Sequence, residues 1–103
     1  MHLVHASLVR RRPERPDPRE AARVLDALWA HAIDHDRLEH ARAHVHPDRT
    51  DLLLFLRQVP DEEPWHLAAD LLTRCHRRAP HLAATYLPPG PDTSAEHPSS
   101  TNP

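Results

Sequence analysis

Histidine is the residue type in this sequence that could most directly carry chemistry. Eleven of the 103 residues are histidine, and five of these lie within one segment of sixteen residues. Two neutral imidazoles four residues apart on a helix, or two apart on a strand, can bind the same metal ion. However, no spacing in the segment matches a known ligand signature such as His-Glu-x-x-His, so we predict no metal site. The five are His31, His35, His40, His44 and His46.

A sharper candidate site comes from side chains that would share one face of a β-sheet. In three apolar segments the side chains would alternate between the two faces, as they do on any β-strand. If one set on each strand faces the helices, the other set forms an apolar centre with a polar rim. The predicted centre is Leu3, Leu53 and Phe55, and the predicted rim is His5, His40, Arg42 and His44. We call these seven residues the open face.

An apolar centre with a polar rim is typical of a protein interface or a ligand cleft. Two functions fit this composition. The first is a small accessory protein that self-associates, or binds a protein partner, through the open face. The second is a small cofactor-independent enzyme that acts on a small molecule, with His5 or His44 as the general base. The sequence contains one glycine, Gly90, so it offers no phosphate-binding loop, and we expect no bound cofactor.

Six apolar segments would position these residues, in the order strand, helix, strand, strand, helix, strand. They span residues 3–9, 17–33, 38–45, 52–56, 64–79 and 82–87. This order is that of the split βαβ, or ferredoxin-like, arrangement. The sequence therefore predicts an α+β fold, a βαββαβ two-layer sandwich with one sheet face uncovered.

The two helices carry the clearest signals. The Asp-Pro-Arg-Glu sequence at residues 17–20 is typical of a helix start, and apolar residues then recur every three or four positions. The second helix begins at Pro64, directly behind three acidic residues that suit the positive end of a helix dipole. Trp29 and Trp65 fall in the two apolar stripes, so we expect both to pack in the core or between helix and sheet.

The strands are less distinct, and an all-helical fold stays open as the alternative. Residues 38–45 alternate between apolar and polar side chains, as an edge strand does, whereas residues 52–56 are apolar throughout, as a central strand is. Residues 46–50 would then form the turn of a hairpin. The alanine-rich stretch 20–45 could instead continue as one helix, which would give a small all-α bundle.

Composition limits the classes of function. The formal net charge of −2 argues against a general affinity for nucleic acid. Cys75 is the one cysteine, so no internal disulfide can form, and we expect its thiol to be buried and unreactive. We also expect a cytoplasmic protein without membrane contact, because no secretory signal or membrane-spanning segment is evident. Residues 88–103 are rich in Pro, Ser and Thr and predict a disordered tail behind a single domain, residues 1–87.

The layout of residues 1–88, with Leu38-Glu39-His40 leading into the hairpin, resembles small uncharacterised actinobacterial proteins of ferredoxin-like type. All 13 basic side chains are arginine, which is also typical of high-GC genomes. The architecture is more distantly similar to that of dimeric α+β barrel proteins, including antibiotic-biosynthesis monooxygenases. The resemblance implies a homodimer with its sheets paired face to face and a role in specialised metabolism, and it carries over no catalytic residue.

Overall fold

Three strands and three α-helices make up this computed structural model, which describes residues 1–58 and 60–90. The α+β class is confirmed, and the all-α alternative is wrong because residues 38–56 form a β-hairpin. A short 3-10 helix links the first α-helix to the second strand. The elements are β1 (His2–Val9), α1 (Glu20–His31), the 3-10 helix (Asp34–Asp36), β2 (Leu38–Val45), β3 (Arg49–Leu56), α2 (Pro64–Arg78) and α3 (Pro80–Thr85).

The sheet has the strand order β1-β3-β2 and is antiparallel throughout. The strand with the most continuous apolar run, β3, therefore lies in the centre, where both of its neighbours cover it. Leu54 is paired with Val4 on one side and with Ala41 on the other. All three of these residues are buried, so the register turns the same set of alternate side chains toward the helices on every strand.

The predicted fourth strand, residues 82–87, is wrong. Helix α3 (Pro80–Thr85) occupies most of that segment, and only Tyr86 pairs with Arg10, through a single antiparallel bridge. A proline at the first helical position followed by alanines favours a helix over a strand, because proline is pre-set for the first turn and alanine is the best helix former. The full βαββαβ order is therefore not formed, although Tyr86 lies on the edge of β1 that a fourth strand would take.

The core lies between the helices and one face of the sheet. The alternate residues of β1 and β3 that were assigned to this face are all buried. Cys75 of α2 is buried among them, and this burial raises the pKa of its thiol to about 11, which agrees with the predicted unreactive filler. The buried apolar residues of the strands are Val4, Ala6, Leu8, Ala41, Leu52, Leu54 and Leu56, and the polar Thr50 of β3 is buried beside them.

The prediction that Trp29 packs in the core is wrong. Helix α1 buries Val24 and Leu28 completely, whereas Trp29 is 48% exposed. One position along a helix is a rotation of about 100°, so the residue after a core position points away from the core. The apolar stripe predicted for α1 is therefore wider than the face of the helix that packs against the core.

Helix α1 is shorter than predicted, because it spans Glu20–His31 rather than residues 17–33. The side chain of Asp17 accepts the backbone N–H of Arg19 at 2.9 Å, so it orders the turn that leads into the helix. Helix α2, Pro64–Arg78, agrees with its predicted bounds to within one residue. Both helices start where the sequence places a proline or an acidic side chain.

A buried ion pair fixes α2 against the connection between α1 and β2. The two guanidinium Nη atoms of Arg74 donate to the two carboxylate oxygens of Asp36 at 2.8 and 3.1 Å. The same carboxylate accepts the N–H of Ile33 at 2.8 Å, and Arg74 also donates to the carbonyl oxygen of His31 at 3.1 Å. The Asp36 carboxylate raises the pKa of Arg74. Because the polar groups are paired in this way, the cost of burying them is offset.

The boundary predicted between domain and tail, at residues 87 and 88, falls near the end of the described chain. The rest of the predicted tail, from residue 91 onward, lies outside the described residues. Within residues 1–58 and 60–90, no helix is both long enough and apolar enough to cross a membrane.

Candidate functional site

The seven residues of the open face lie on one face of the sheet, in rows that cross the three strands. The first row is Leu3, Phe55 and His40, because Phe55 of the central strand is paired with Leu3 on one side and His40 on the other. The side chain of Leu3 is 55% exposed. The rings of His40 and Phe55 are tilted against each other with their centroids 5.4 Å apart. This row is the apolar end of the open face.

The second row crosses the middle of the sheet and mixes apolar with basic side chains. Leu53 lies between His5 on β1 and Arg42 on β2. His5 and Arg42 are exposed, and Leu53 is half-buried. Together with His44 and Asp51, these residues line a shallow hollow of about 300 Å³.

The third row is centred on Asp51, an acidic residue that the sequence analysis did not single out. Its carboxylate accepts hydrogen bonds from the Ser7 hydroxyl at 2.8 Å and from Nε of Arg49 at 2.9 Å. Nε2 of His46 lies 3.1 Å from its second oxygen. Burial by itself raises the pKa of Asp51, but the hydrogen bonds from Ser7 and Arg49 outweigh that effect and lower the pKa below its ordinary value.

The contacts of Asp51 do not activate Ser7 as a nucleophile. In a nucleophilic triad the serine hydroxyl contacts the imidazole, and the carboxylate lies behind the imidazole. Here the carboxylate lies between the two groups, because Ser7 donates directly to Asp51 and His46 contacts the other carboxylate oxygen. The arrangement therefore holds the third row in place and keeps the Asp51 carboxylate ionised and paired with the Arg49 guanidinium.

The two predicted general bases, His5 and His44, lie in the same hollow. Both are exposed, and His44 stacks on His46 with ring centroids 4.6 Å apart and planes 9° apart. Neither predicted base forms a side-chain hydrogen bond within residues 1–58 and 60–90, so no partner fixes the orientation that general-base catalysis needs. The space between the sheet and the helices is filled by the core.

The histidine-rich segment is spread over four structural elements. His31 ends α1, His35 lies in the 3-10 helix, His40 and His44 lie on β2, and His46 lies in the hairpin turn. Among the residues that the structure describes, no group of three or more His, Cys, Asp or Glu side chains is arranged so that it could hold a metal ion.

A second polar cluster, which the sequence analysis missed, is centred on Glu20 at the start of α1. The Glu20 side chain is only 4% exposed. It accepts a hydrogen bond from the Tyr86 hydroxyl at 2.7 Å and one from Nη1 of Arg23 at 3.3 Å, and it lies 3.3 Å from Nε2 of His81. The local signal at Glu20 was that of an acidic residue in a first helical turn, which gave no indication of burial.

The hydroxyl of Tyr86 connects this cluster to the core of the sheet. It lies 2.7 Å from the hydroxyl of Thr50, and both residues are completely buried. Burial raises the pKa of Tyr86 to about 12, with the adjacent Glu20 carboxylate adding to the shift. Tyr86 therefore stays protonated and donates to Glu20. Tyr86 lies in the segment that was predicted to be a fourth strand. Its hydrogen bond to Glu20 could therefore not be predicted from the sequence.

Comparison of the chain with protein-family models, with curated proteins and with solved structures finds no match. The relation to actinobacterial ferredoxin-like proteins and to monooxygenase-type barrels therefore stays a prediction. Function must be argued from the two clusters and the open face themselves.

Proposed function

We propose that this chain is a small cytoplasmic accessory protein that forms a homodimer through its open face. The observation that carries this proposal is the set of apolar side chains at Leu3, Leu53 and Phe55, which the helices leave uncovered. Contiguous apolar patches on a protein surface mark places where another molecule binds. The polar residues around them have the composition of an interface rim.

A second copy of the chain is the occupant that the composition of the open face favours, because the centre of the face is apolar. Arg42 is the one arginine or acidic residue among its seven members, and the neighbouring Asp51 is already paired with Arg49 at 2.9 Å, so the face offers a highly charged partner little to bind. In a dimer with its two-fold axis along β3, Leu53 and Phe55 of the central strand each meet their own copy. Asp51 also meets its own copy, but its charge is already paired with Arg49 at 2.9 Å. Leu53 and Phe55 would be covered in this way, while His5 and Arg42 on the outer strands stay at the rim.

The size of the face sets the expected strength of the dimer. Eight residues per strand and three strands give a face about 26 Å long and about 14 Å wide, or roughly 400 Å² for each copy. Two copies would then bury about 800 Å² in total, which is less than the roughly 1,200 Å² of a stable specific interface and falls in the range of weak, transient ones. We therefore expect a weak dimer that dissociates on dilution.

The proposal is tested by sedimentation velocity of the full chain over a range of concentrations. Leu3→Asp and Phe55→Asp place a charge in the apolar row, and each should shift the protein to the monomer at concentrations where the unmodified chain is dimeric. Ile33→Asp is the matched control, because Ile33 is 52% exposed and Leu3 is 55% exposed, yet Ile33 lies outside the open face. This control should leave the mass unchanged.

Two results would overturn the proposal. One is a monomeric unmodified chain at every concentration measured. The other is a dimer that survives both open-face variants, which would place the contact elsewhere, for example at the free edge of β1. Thermal unfolding of each variant separates loss of the dimer from loss of the fold.

The fold suggests a finer relation that also belongs to this proposal. In the ferredoxin-like order the fourth strand lies beside β1, and Tyr86 pairs at that edge. We therefore regard the chain as a ferredoxin-like domain whose last strand is reduced to one residue pair. The cytoplasmic location is supported by the single buried cysteine, since exported small domains commonly depend on disulfides.

The enzyme alternative has one observation in its favour. His5 and His44 line one hollow of about 300 Å³ beside the apolar Leu53, which is the pairing of a base with an apolar wall that this alternative requires. The hollow is open to solvent and neither imidazole is oriented by a hydrogen bond, so the dimer accounts better for the face as a whole.

A further inference from the structure

A cavity of about 340 Å³ lies at the other polar cluster, where the loop between β1 and α1 meets α3. None of its lining residues belongs to the open face. Six of its eight lining residues are arginine or acidic residues, three of each sign, and the side chains of two of these, Arg10 and Glu20, are only 4% exposed. The lining residues are Arg10, Glu14, Arg15, Asp17, Glu20, Arg23, His81 and Thr85.

The feature that needs an explanation is the buried guanidinium of Arg10. Its side chain is 4% exposed, yet its one ion pair is a 3.5 Å contact with Glu14, whose side chain is 71% exposed. Nε donates to the carbonyl oxygen of His46 at 3.3 Å, and the guanidinium carbon lies 5.6 Å from the centre of the Tyr86 ring. Within the described residues, Nη2 of Arg10 forms no hydrogen bond, and it is not one of the fully buried polar atoms that lack a partner. This donor of an otherwise buried guanidinium is therefore accessible from the cavity and can bind a further acceptor.

The other buried charge in the cavity is fully occupied and does not compensate Arg10. Glu20 receives Tyr86, Arg23 and His81 on its two oxygens, at 2.7, 3.3 and 3.3 Å. Arg23 is also held by Asp17 at 3.1 Å. Arg23 is shared between Glu20 and Asp17, whereas Arg10 has only the long contact with Glu14, so Arg10 is the arginine of the cavity wall that keeps a donor available for a ligand.

Two exposed residues, Glu14 and Arg15, line the same cavity as Arg10. Arg15 is exposed and forms no ion pair within residues 1–58 and 60–90. Glu14 is exposed and reaches Arg10 only at the limit of a hydrogen bond. A long, weak contact from an exposed side chain is easily exchanged for a better one, because exposed ion pairs contribute little free energy.

We propose that this cavity binds a small molecule through an anionic oxygen group, phosphate or carboxylate, which replaces Glu14 on the guanidinium of Arg10. An arginine side chain presents two parallel N–H donors that match either oxyanion. Arg15 adds a second cation at the mouth of the cavity. A volume of about 340 Å³ is at the lower end of ligand sites, so the ligand is small.

Isothermal titration of the full chain with inorganic phosphate, and separately with succinate, tests this site and distinguishes the two sources of the anion. At least one probe should bind the unmodified chain, and its identity assigns the group as phosphate or carboxylate. Arg10→Gln should weaken binding by at least about tenfold, because it removes the buried donors. Arg15→Gln should weaken binding severalfold, and Glu14→Gln should tighten it, because the competing carboxylate is gone.

Arg12→Gln is the matched control. Arg12 lies on the same loop and loses the same charge, but it lines a neighbouring cleft with Pro13 and Ala84 rather than this cavity. Its affinity should stay within about twofold. Arg10→Gln alters a buried residue and could prevent folding. In that case the site is tested by Arg15→Gln and Glu14→Gln, which alter exposed residues. The proposal is overturned if neither probe binds, if Arg12→Gln weakens binding as much as Arg15→Gln, or if Glu14→Gln fails to tighten it.

Discussion

The two polar clusters of this protein have nearly the same composition in very different surroundings. Asp51 on the sheet contacts a hydroxyl, an arginine and a histidine, namely Ser7, Arg49 and His46. Glu20 at the start of α1 contacts the same three kinds of group, namely Tyr86, Arg23 and His81. The Asp51 side chain is 21% exposed, whereas that of Glu20 is 4% exposed.

The difference shows that solvent access, rather than the set of contacts, decides what such a cluster contributes. Around Asp51, water screens the charges and replaces any contact that is lost, so the cluster shapes a surface at small energetic cost. Around Glu20, water is excluded, so each lost contact leaves a polar group without a partner. The loss of a contact in the Glu20 cluster should therefore lower the free energy of unfolding more than the loss of a contact in the Asp51 cluster.

The largest expected effect is that of Glu20→Ala. This substitution removes the buried acceptor of Tyr86 and of Arg23, and we expect the free energy of unfolding to fall by about 3 kcal/mol. Urea unfolding near neutral pH measures it. Glu14→Ala, at an exposed carboxylate of the same cavity, should change stability by less than about 0.5 kcal/mol. Equal losses in the two variants would contradict the assigned role of burial.

A smaller effect is expected for Tyr86→Phe, which removes one hydroxyl and leaves the ring in place. Thr50 and the Glu20 carboxylate each lose a buried partner, so unfolding should become easier by about 2 kcal/mol. Ser7→Ala removes the corresponding hydroxyl beside Asp51 and should cost about 0.5 kcal/mol. A loss in Ser7→Ala that matches the loss in Tyr86→Phe would remove the distinction between the clusters.

The effect of Asp51→Asn should be smaller than that of Glu20→Ala or Tyr86→Phe, and it should depend on pH. Since the pKa of Asp51 is lowered from its ordinary value of 3.8, its ionised form stabilises the folded state above that value, and the stabilisation is lost as the pH falls through the folded pKa. Near pH 7 the variant should be less stable by about 0.5–1 kcal/mol. The gap should close near pH 2, and urea unfolding at both pH values measures it. A gap that stays constant with pH would show that charge is not involved.

The parts of the fold that could be predicted were those with a local signal. β2 has the bounds that its alternation predicted, residues 38–45, and the parity of its side chains places His40, Arg42 and His44 on the open face. Helix α3 was missed because an apolar run of six residues satisfies a strand and a short helix equally well. Pro80 follows the predicted end of α2 at residue 79 and is the first residue of α3.

The parts that could not be predicted depend on contacts between distant residues. Glu20 and Tyr86 are 66 positions apart in the chain, and each has an ordinary local role, as a helix-start acid and as part of an apolar run. Arg10 begins a run of three arginines, a composition typical of a solvated loop, yet its side chain is only 4% exposed. The burial of Arg10 depends on residues distant in the chain, because His81 and Thr85 of α3 line the same cavity and Tyr86 lies beside its guanidinium.

The single residue pair between Tyr86 and Arg10 also decides how this protein would aggregate. After the N–H of Leu87 donates to the carbonyl oxygen of Val9 at 2.8 Å, the chain continues with Pro88 and Pro89, which have no N–H to extend the ladder. Within the described residues, the outer edge of β1 is therefore unpaired from His2 to Leu8, and it carries no Lys, Arg, Asp or Glu. Uncharged edges of this kind accept foreign strands, so association of misfolded or crowded chains should begin at the first strand.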